Sequence, residues 1–163
     1  MSVTVIQVDT REKPDEFARI ARQFDALGVK YFRSKMYVGD YQSVDNGRLV
    51  IDRKKGLQEL AGNVCQQHDR FRRELIRAQD AGIKIVILCE FKTLAPKSLE
   101  DVQRWKNPRL KNSPKAITGE RLYKVLRTLR YRYNVDFAFC MESETGQTIV
   151  DILEGRCKQM VWP

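Results

Sequence analysis

Hydrophobic positions divide the chain into short strands and longer helices. Val3 to Val8 alternates loosely and is rich in β-branched residues, which predicts a strand running into Asp9-Thr10-Arg11-Glu12. Pro14 suits the first turn of a helix; Phe17, Ile20, Phe24 and Leu27 follow at helical spacing, and Gly28 stops it. A second strand is expected from near Lys30 through Tyr37 toward Tyr41, and a third from Arg48 to Lys54. Leu60, Val64, Phe71, Leu75 and Ala78 share one face of a long helix that Gly82 closes. Ile83 to Cys89 is a nearly continuous apolar run, the mark of a strand buried on both faces, and Glu90 sits at its end. Residues 92–117 are polar and carry Pro96, Pro108 and Pro114, so a loop or short irregular helix is expected there. Thr118 can cap a last long helix, with Glu120 in its first turn and Leu122, Val125, Leu126, Leu129 and Tyr133 as its stripe. Val135 to Met141 reads as a strand, Thr148 to Glu154 as a short helix. Strands and helices in this order predict an α/β sandwich around a central mixed sheet, one domain over residues 1–163.

The net charge of +9 and a pI near 9.5 favour a polyanionic partner, nucleic acid before membrane. No stretch approaches the ~20 apolar residues of a membrane span. The start Met1-Ser2-Val3-Thr4 lacks a basic leader, so no secretion signal and a cytoplasmic location are expected. Cys65, Cys89, Cys140 and Cys157 form no CxxC pair, which argues against a zinc cluster and for a reduced compartment. The single histidine, His68, argues against the HNH nuclease class; it is expected to pack or hydrogen-bond near its helix's apolar face. Nothing suggests a nucleotide cofactor.

Val38 to Lys54 reads as a β-hairpin with Asp40 on one strand and Asp52, Arg53 and Lys54 on the other. Side chains two apart share a face, so Asp52 and Lys54 point one way and Arg53 the other. A two-residue Asn46-Gly47 loop would set Asp40 opposite Arg53. A three-residue Asp45-Asn46-Gly47 loop, with Gly47 left-handed, would pair Val44 with Arg48 and set Asp40 opposite Asp52. Two opposed carboxylates repel unless a cation lies between them, and Mg²⁺ suits such a pair, with Mn²⁺ as its substitute. A functional reading therefore selects the three-residue loop, with Lys54 orienting the attacking water or offsetting charge on a phosphate. Taken as structure alone, Asp40 is a surface turn residue and Asp52-Arg53-Lys54-Lys55 a solvated strand end.

Gly39-Asp40, a spacer, then Asp52-Arg53-Lys54 resembles the signature of XPF-type structure-specific nucleases, within the PD-(D/E)xK restriction-endonuclease-like group. Val8-Asp9-Thr10-Arg11-Glu12 is similar to the family's first-strand motif, and Arg70-Phe71 and Glu90 sit where the family has similar residues. The resemblance covers about residues 3–153. It implies a restriction-endonuclease-like three-layer sandwich, with Asp40 and Asp52 as metal ligands and a backbone carbonyl near Arg53 as a third. Lys54 would be the catalytic lysine, with Asp9 (a further ligand), Arg11, Glu12 and Arg53 at the same site. Asp9 and Glu12 also suit plain capping of a helix start. Two positions depart from the pattern. Asp52 replaces the usual Glu, and Gln58 stands where a last Asp is expected; Glu59, next door, should point about 100° away. By resemblance the short form is similar to phage or mobile-element versions, and pairing into a homodimer is expected.

Residues 103–115 hold Arg104, Lys106, Arg109, Lys111 and Lys115 around Trp105 and no acidic residue, which suits phosphate contacts with base stacking. Arg121, Lys124, Arg127, Arg130 and Arg132 follow on the next helix, and the apolar Met160-Val161-Trp162-Pro163 is expected to dock on the core or mark a subunit contact. The leading expectation is a magnesium-dependent endonuclease on branched, flap or fork DNA, in DNA repair or recombination. The alternatives are a Holliday-junction resolvase or restriction-like nuclease of the same fold, and a non-catalytic DNA-binding module with a decayed site.

Overall fold

The computed structural model describes residues 5–160. Its strands are β1 (Val5–Val8), β2 (Lys30–Arg33), β3 (Tyr41–Ser43), β4 (Asn46–Lys55), β5 (Lys84–Phe91) and β6 (Asp136–Met141). They form one mixed six-stranded sheet in the order β2-β1-β3-β4-β5-β6. β3 is antiparallel to both β1 and β4, while β2 on β1, β5 on β4 and β6 on β5 are parallel. The helices are α1 (Pro14–Leu27), α2 (Gly56–Cys65), α3 (His68–Asp80), α4 (Gly119–Tyr133) and α5 (Thr145–Leu153).

Alternation along the strands sorts the core into two layers. Val50, Ile85, Ile87, Cys89, Phe137 and Phe139 pack against α2, α3 and α4. Ile51, Val86, Leu88, Ala138 and Cys140 face the other way, onto Ile20 and Phe24 of α1 and Ile149 and Ile152 of α5. Each large apolar side chain fully buried this way stabilises the fold by roughly 1.5–3 kcal/mol. This is the three-layer, restriction-endonuclease-like sandwich expected from the sequence. All four cysteines are free, and only Cys65 is exposed. No helix among the described residues is long and apolar enough to cross a membrane.

Several expected elements are revised. The strand expected from Lys30 to Tyr41 is two strands, because β2 and β3 flank β1 on opposite sides and the chain between them must cross the end of β1. Ser34 N donates to Val8 O at 2.9 Å at the start of that crossover. The long helix is broken at Gln66-Gln67, where both backbone N–H groups turn back to Gly62 O. The 92–117 segment contains two short 3-10 turns, Leu99–Arg104 and Pro108–Lys111. It lies close on the start of α4: a Cβ at Gly119 would sit 2.5 Å from Trp105 O and 2.7 Å from Val102 O, so only glycine allows the approach. Thr118 caps α4 as expected, its hydroxyl accepting from Arg121 N at 3.2 Å. Met160 is buried, while Val161–Pro163 and the expected strand residues Val3 and Thr4 lie outside the described residues.

Candidate active site

Where β1 ends, Asp9 is fully buried. Its Oδ1 accepts from Met36 N at 2.8 Å, and its Oδ2 accepts from Arg11 Nε at 2.6 Å and Arg11 N at 3.2 Å. Its own N–H donates to Asp40 O at 2.8 Å. Burial alone would raise its pKa, but Arg11 and the backbone donors hold it below the usual carboxylate range. Asp9 is thus the strut that ties the 34–40 crossover to β1. Both oxygens are engaged by these donors, and Asp9 stands beside rather than in the lining of the cavity described below, whereas the resemblance implies a further metal ligand there.

The hairpin has the register that brings the two aspartates together, reached by a different turn. Tyr41 pairs with Ile51 and Gln42 with Val50, and Asp40 N donates to Ile51 O at 2.7 Å, which continues that register to Asp40 opposite Asp52. The tip is a two-residue Val44-Asp45 turn, with Ser43 paired to Asn46. Ser43 Oγ accepts from Asp45 N, and Asn46 Oδ1 from Arg48 N, local bonds that favour this tighter turn. Gly47, Arg48 and Leu49 are taken up in the irregularity that follows on β4, and Gly47 has no left-handed φ. Gly39 delivers Asp40: its φ is +79°, and a Cβ there would lie 3.0 Å from Val50 Cβ and 3.2 Å from Ile51 O.

Asp40, Asp52 and Lys54 open into a cavity of about 310 Å³, with Arg11, Glu12, Lys13, Arg53, Lys55 and Glu59 on its walls. Asp40 Oδ2 accepts from Arg53 N at 2.8 Å. Burial, the neighbouring Asp52 and Glu12 push Asp40's pKa well above the carboxylate range. Lys54 Nζ lies 3.3 Å from Asp52 Oδ2 and 6.0 Å from the centre of the Phe71 ring. Burial opposes its charge, but Asp52 and Glu59 outweigh that, so its pKa is raised.

The Arg53 side chain points to the opposite face from Asp52 and Lys54, as strand alternation requires. Its Nε and Nη2 donate to Glu12 at 2.8 and 3.1 Å, and its Nη1 donates to Glu90. Tyr41 OH adds a 2.5 Å bond to Glu12, while Arg19 at 2.6 Å and Thr145 satisfy the second oxygen of Glu90. Arg53 and Glu12, expected at the site, line the cavity and are also the centre of a buried ionic network joining α1, β4, β5 and α5, while the Arg53 backbone N–H holds Asp40.

The departure at Gln58 also changes meaning. Gln58 and Glu59 point apart as expected, but it is Glu59 that lines the cavity of Asp40, Asp52 and Lys54, while Gln58 lines a different hollow. Glu59 Oε2 accepts from Lys55 N at 2.7 Å, capping the start of α2. A further acid missed in the sequence is Glu74 of α3, whose pKa is raised by burial and by Asp52.

The basic residues divide into groups. Arg11 is 61% exposed on the cavity rim, and Arg70 is exposed on α3. Arg104, Lys106 and Lys111 gather with Trp105 in one hollow, and Arg109 and Lys115 join Arg121 beside α2 in another. Trp105 is half-buried against the core rather than presented as a free stacking face. Arg130 is committed to Asp136 at 2.8 Å, and His68 is exposed, with Asp69 3.5 Å away.

The model of the ERCC4 domain matches residues 8–152. The chain belongs to the ERCC4 domain family. This agrees with the XPF-type nuclease domain expected from the hairpin and first-strand motifs. Among solved structures, the ERCC4 fold here is similar to XPF from Aeropyrum pernix, with a TM-score of 0.62 at 18% identity over 98% of this chain and 65% of that one. XPF from Aeropyrum pernix in complex with DNA gives a TM-score of 0.65 at 17% identity, over 98% and 68%. The chain spans about two thirds of the length of these XPF chains. No curated protein matches it.

Proposed function

We propose that the protein is a divalent-metal-dependent DNA endonuclease acting on branched, flap or fork DNA, with Mg²⁺ as its metal and Mn²⁺ as the substitute. The observation that carries this reading is the register that sets Asp40 against Asp52 with Lys54 on the same face of β4. Two carboxylates facing each other are unfavourable without a cation, and the neighbouring Asp52 adds to burial in raising Asp40's pKa. Their number fits Mg²⁺, which takes one or two carboxylates and leaves its other positions to water and phosphate. Among the described residues no group of three or more His, Cys, Asp or Glu side chains suits a closed protein cage. When bound, the metal would acidify water and neutralise phosphate charge.

Asp40 and Asp52 would hold that metal, and the Arg53 N–H fixes which Asp40 oxygen is left to face it. Lys54 stays protonated, so it is a source of positive charge for the phosphate rather than a base. DNA as the partner is supported by the net charge of +9 and by the DNA-bound relative. The decayed-site alternative took its motive from Gln58, and a carboxylate on the cavity wall at Glu59 weighs against that motive. By resemblance, two copies would pair.

In Mg²⁺ the wild type is expected to nick at least one of a panel of flap, fork and four-way-junction DNAs faster than plain duplex, and a chelator should stop it. Binding without cleavage in either Mg²⁺ or Mn²⁺ would overturn the enzyme reading in favour of a binding module; symmetric cuts in the junction alone would favour a resolvase.

Stability should depend on pH in a metal-sensitive way. Asp40's folded pKa is raised, so its contribution is fully present below the unfolded carboxylate value, about 4, and is lost as pH rises through the folded value. In metal-free protein this contribution should therefore fall from about pH 4 upward, against the opposite trend from Asp9 and Glu16, whose pKa values are lowered. Saturating Mg²⁺ should flatten that loss. Urea titrations at stepped pH, with chelator and with Mg²⁺, read this; superimposable curves would remove the shared-cation reading of the pair.

A further inference from the structure

We propose that the hollow between α2, the end of the 92–117 segment and the start of α4 is a pocket for one unpaired nucleotide of the bound DNA strand, a proposal that rests on the endonuclease reading above. Its volume is about 410 Å³, inside the roughly 300–1,000 Å³ range of small-molecule sites. Arg109, Lys115 and Arg121 supply positive charge, and no carboxylate lines it. None of these three has an ion-pair partner among the described residues, whereas Arg104 and Arg130 each have one. Arg121 and Arg109 both act on the Cys65 thiol against the effect of burial, so the two guanidinium groups converge on one side of the hollow.

The remaining walls match the other parts of a nucleotide. Gln58 and Gln66 offer amides that can donate to and accept from a base edge, and Ala61 and Ile117 offer apolar surface for its face. Asn107, only 5% exposed, makes the far wall rigid: it accepts from Arg109 N at 3.0 Å and donates to Ile117 O at 3.0 Å. The position is as telling as the lining. Gln58 lines this pocket and Glu59 lines the cavity of Asp40 and Asp52, so the two hollows flank one helix. A helix is about 10–12 Å across, a few steps of a strand at ~3.4 Å each. A strand whose phosphate lies at the two aspartates can thus place a neighbouring nucleotide in the pocket. Only a nucleotide without a pairing partner enters cheaply, because a paired one must first be unstacked and unpaired. The pocket would then give the cavity its preference for branched over continuous duplex DNA.

Gly62 provides the test. It lies within α2, and a Cβ there meets only Gln66 Oε1 at 3.7 Å, so Gly62→Met fills the hollow without backbone strain and with better helix propensity. Full-length wild type, Gly62→Met and Arg121→Ala would be titrated, with Ca²⁺ in place of Mg²⁺, against flap DNAs carrying 2-aminopurine at successive unpaired positions and against plain duplex. Circular dichroism and melting would confirm that each variant folds. In the wild type one unpaired position should change fluorescence sharply, and both variants should lose that signal. Flap affinity should fall about tenfold for Gly62→Met while duplex affinity stays within about twofold. Wild-type flap affinity and signal in Gly62→Met overturn the pocket. Equal losses on flap and duplex also overturn it, in favour of a plain phosphate-binding surface. If the wild type cuts DNA in Mg²⁺ and Gly62→Met keeps its flap preference, the pocket alone fails. If the wild type neither binds nor cuts, the nuclease reading fails with it.

Discussion

Asp52→Asn is expected to lower the rate of cleavage by about 10³-fold while leaving the metal-free protein at least as stable as the wild type. The first effect follows if the Asp40–Asp52 pair holds the metal, because charge stabilisation by a bound metal is worth several kcal/mol in the transition state, and ~4 kcal/mol is about three decades in rate. The second follows from the same pair without metal. Asparagine removes one of two opposed like charges and so the Asp52 part of Asp40's raised pKa, while burial and Glu12 remain. Lys54 loses its 3.3 Å partner but keeps the influence of Glu59 and Glu74. The two effects separate catalysis from folding. Melting curves in chelator and in Mg²⁺ supply the check: at about 100-fold excess over Kd a metal adds roughly 2.7 kcal/mol to the wild type, and the variant should show almost none of it. A variant that cuts as fast as the wild type would remove Asp52 from the chemistry.

Arg53→Met should have the largest effect on stability, a loss of about 3–5 kcal/mol, because it leaves two buried acids without their shared cation. For a chain of this size that is a fall in Tm of roughly 6–20 °C. Glu12 would keep only its bond from Tyr41, and Glu90 would keep Arg19 and Thr145. Arg53→Lys should rescue little, since an ammonium cannot fork between Glu12 and Glu90 as a guanidinium does. Removing an exposed partner, as in Arg104→Met, should cost no more than about 1 kcal/mol. Urea unfolding of the three variants measures the difference. Arg53→Met within about 1 kcal/mol of the wild type would mean that the network is solvated and not structural.

Much of this site was legible in the sequence because strand periodicity is strict. Two-residue spacing alone put Asp52 and Lys54 on one face and Arg53 on the other, and the need to bring Asp40 to Asp52 selected the observed register. The turn that produces it was not legible, because Ser43 and Asn46 win it through local side-chain bonds that compete with Asn46-Gly47. Which of Gln58 and Glu59 meets the site was not legible for a different reason. Spacing counted from Lys54 assumes a smooth passage into α2, but Gly56 at φ +72° re-aims the chain first. The break before α3 has no glycine or proline to announce it, only Cys65-Gln66-Gln67-His68. The resemblance placed Asp9 at the site, but its bonds to Met36 N and Arg11 could not be read from the chain, because the crossover that supplies Met36 was expected to be strand. Glu74 could not be placed, since only the packing of α3 brings it near Asp52.

The irregularity in β4 has one more consequence. Because Gly47, Arg48 and Leu49 are absorbed between the tip and the Gln42–Val50 pair, the tip acts as slack in the hairpin. Residues can be inserted or deleted there without sliding one aspartate past the other. The number of residues separating the two acids is then no guide to whether they meet. A search pattern with a fixed gap would pass over relatives whose hairpins close on the same pair by a longer or shorter loop. For the engineer, the Val44-Asp45 tip is the place to fuse a tag or a targeting peptide to this nuclease domain.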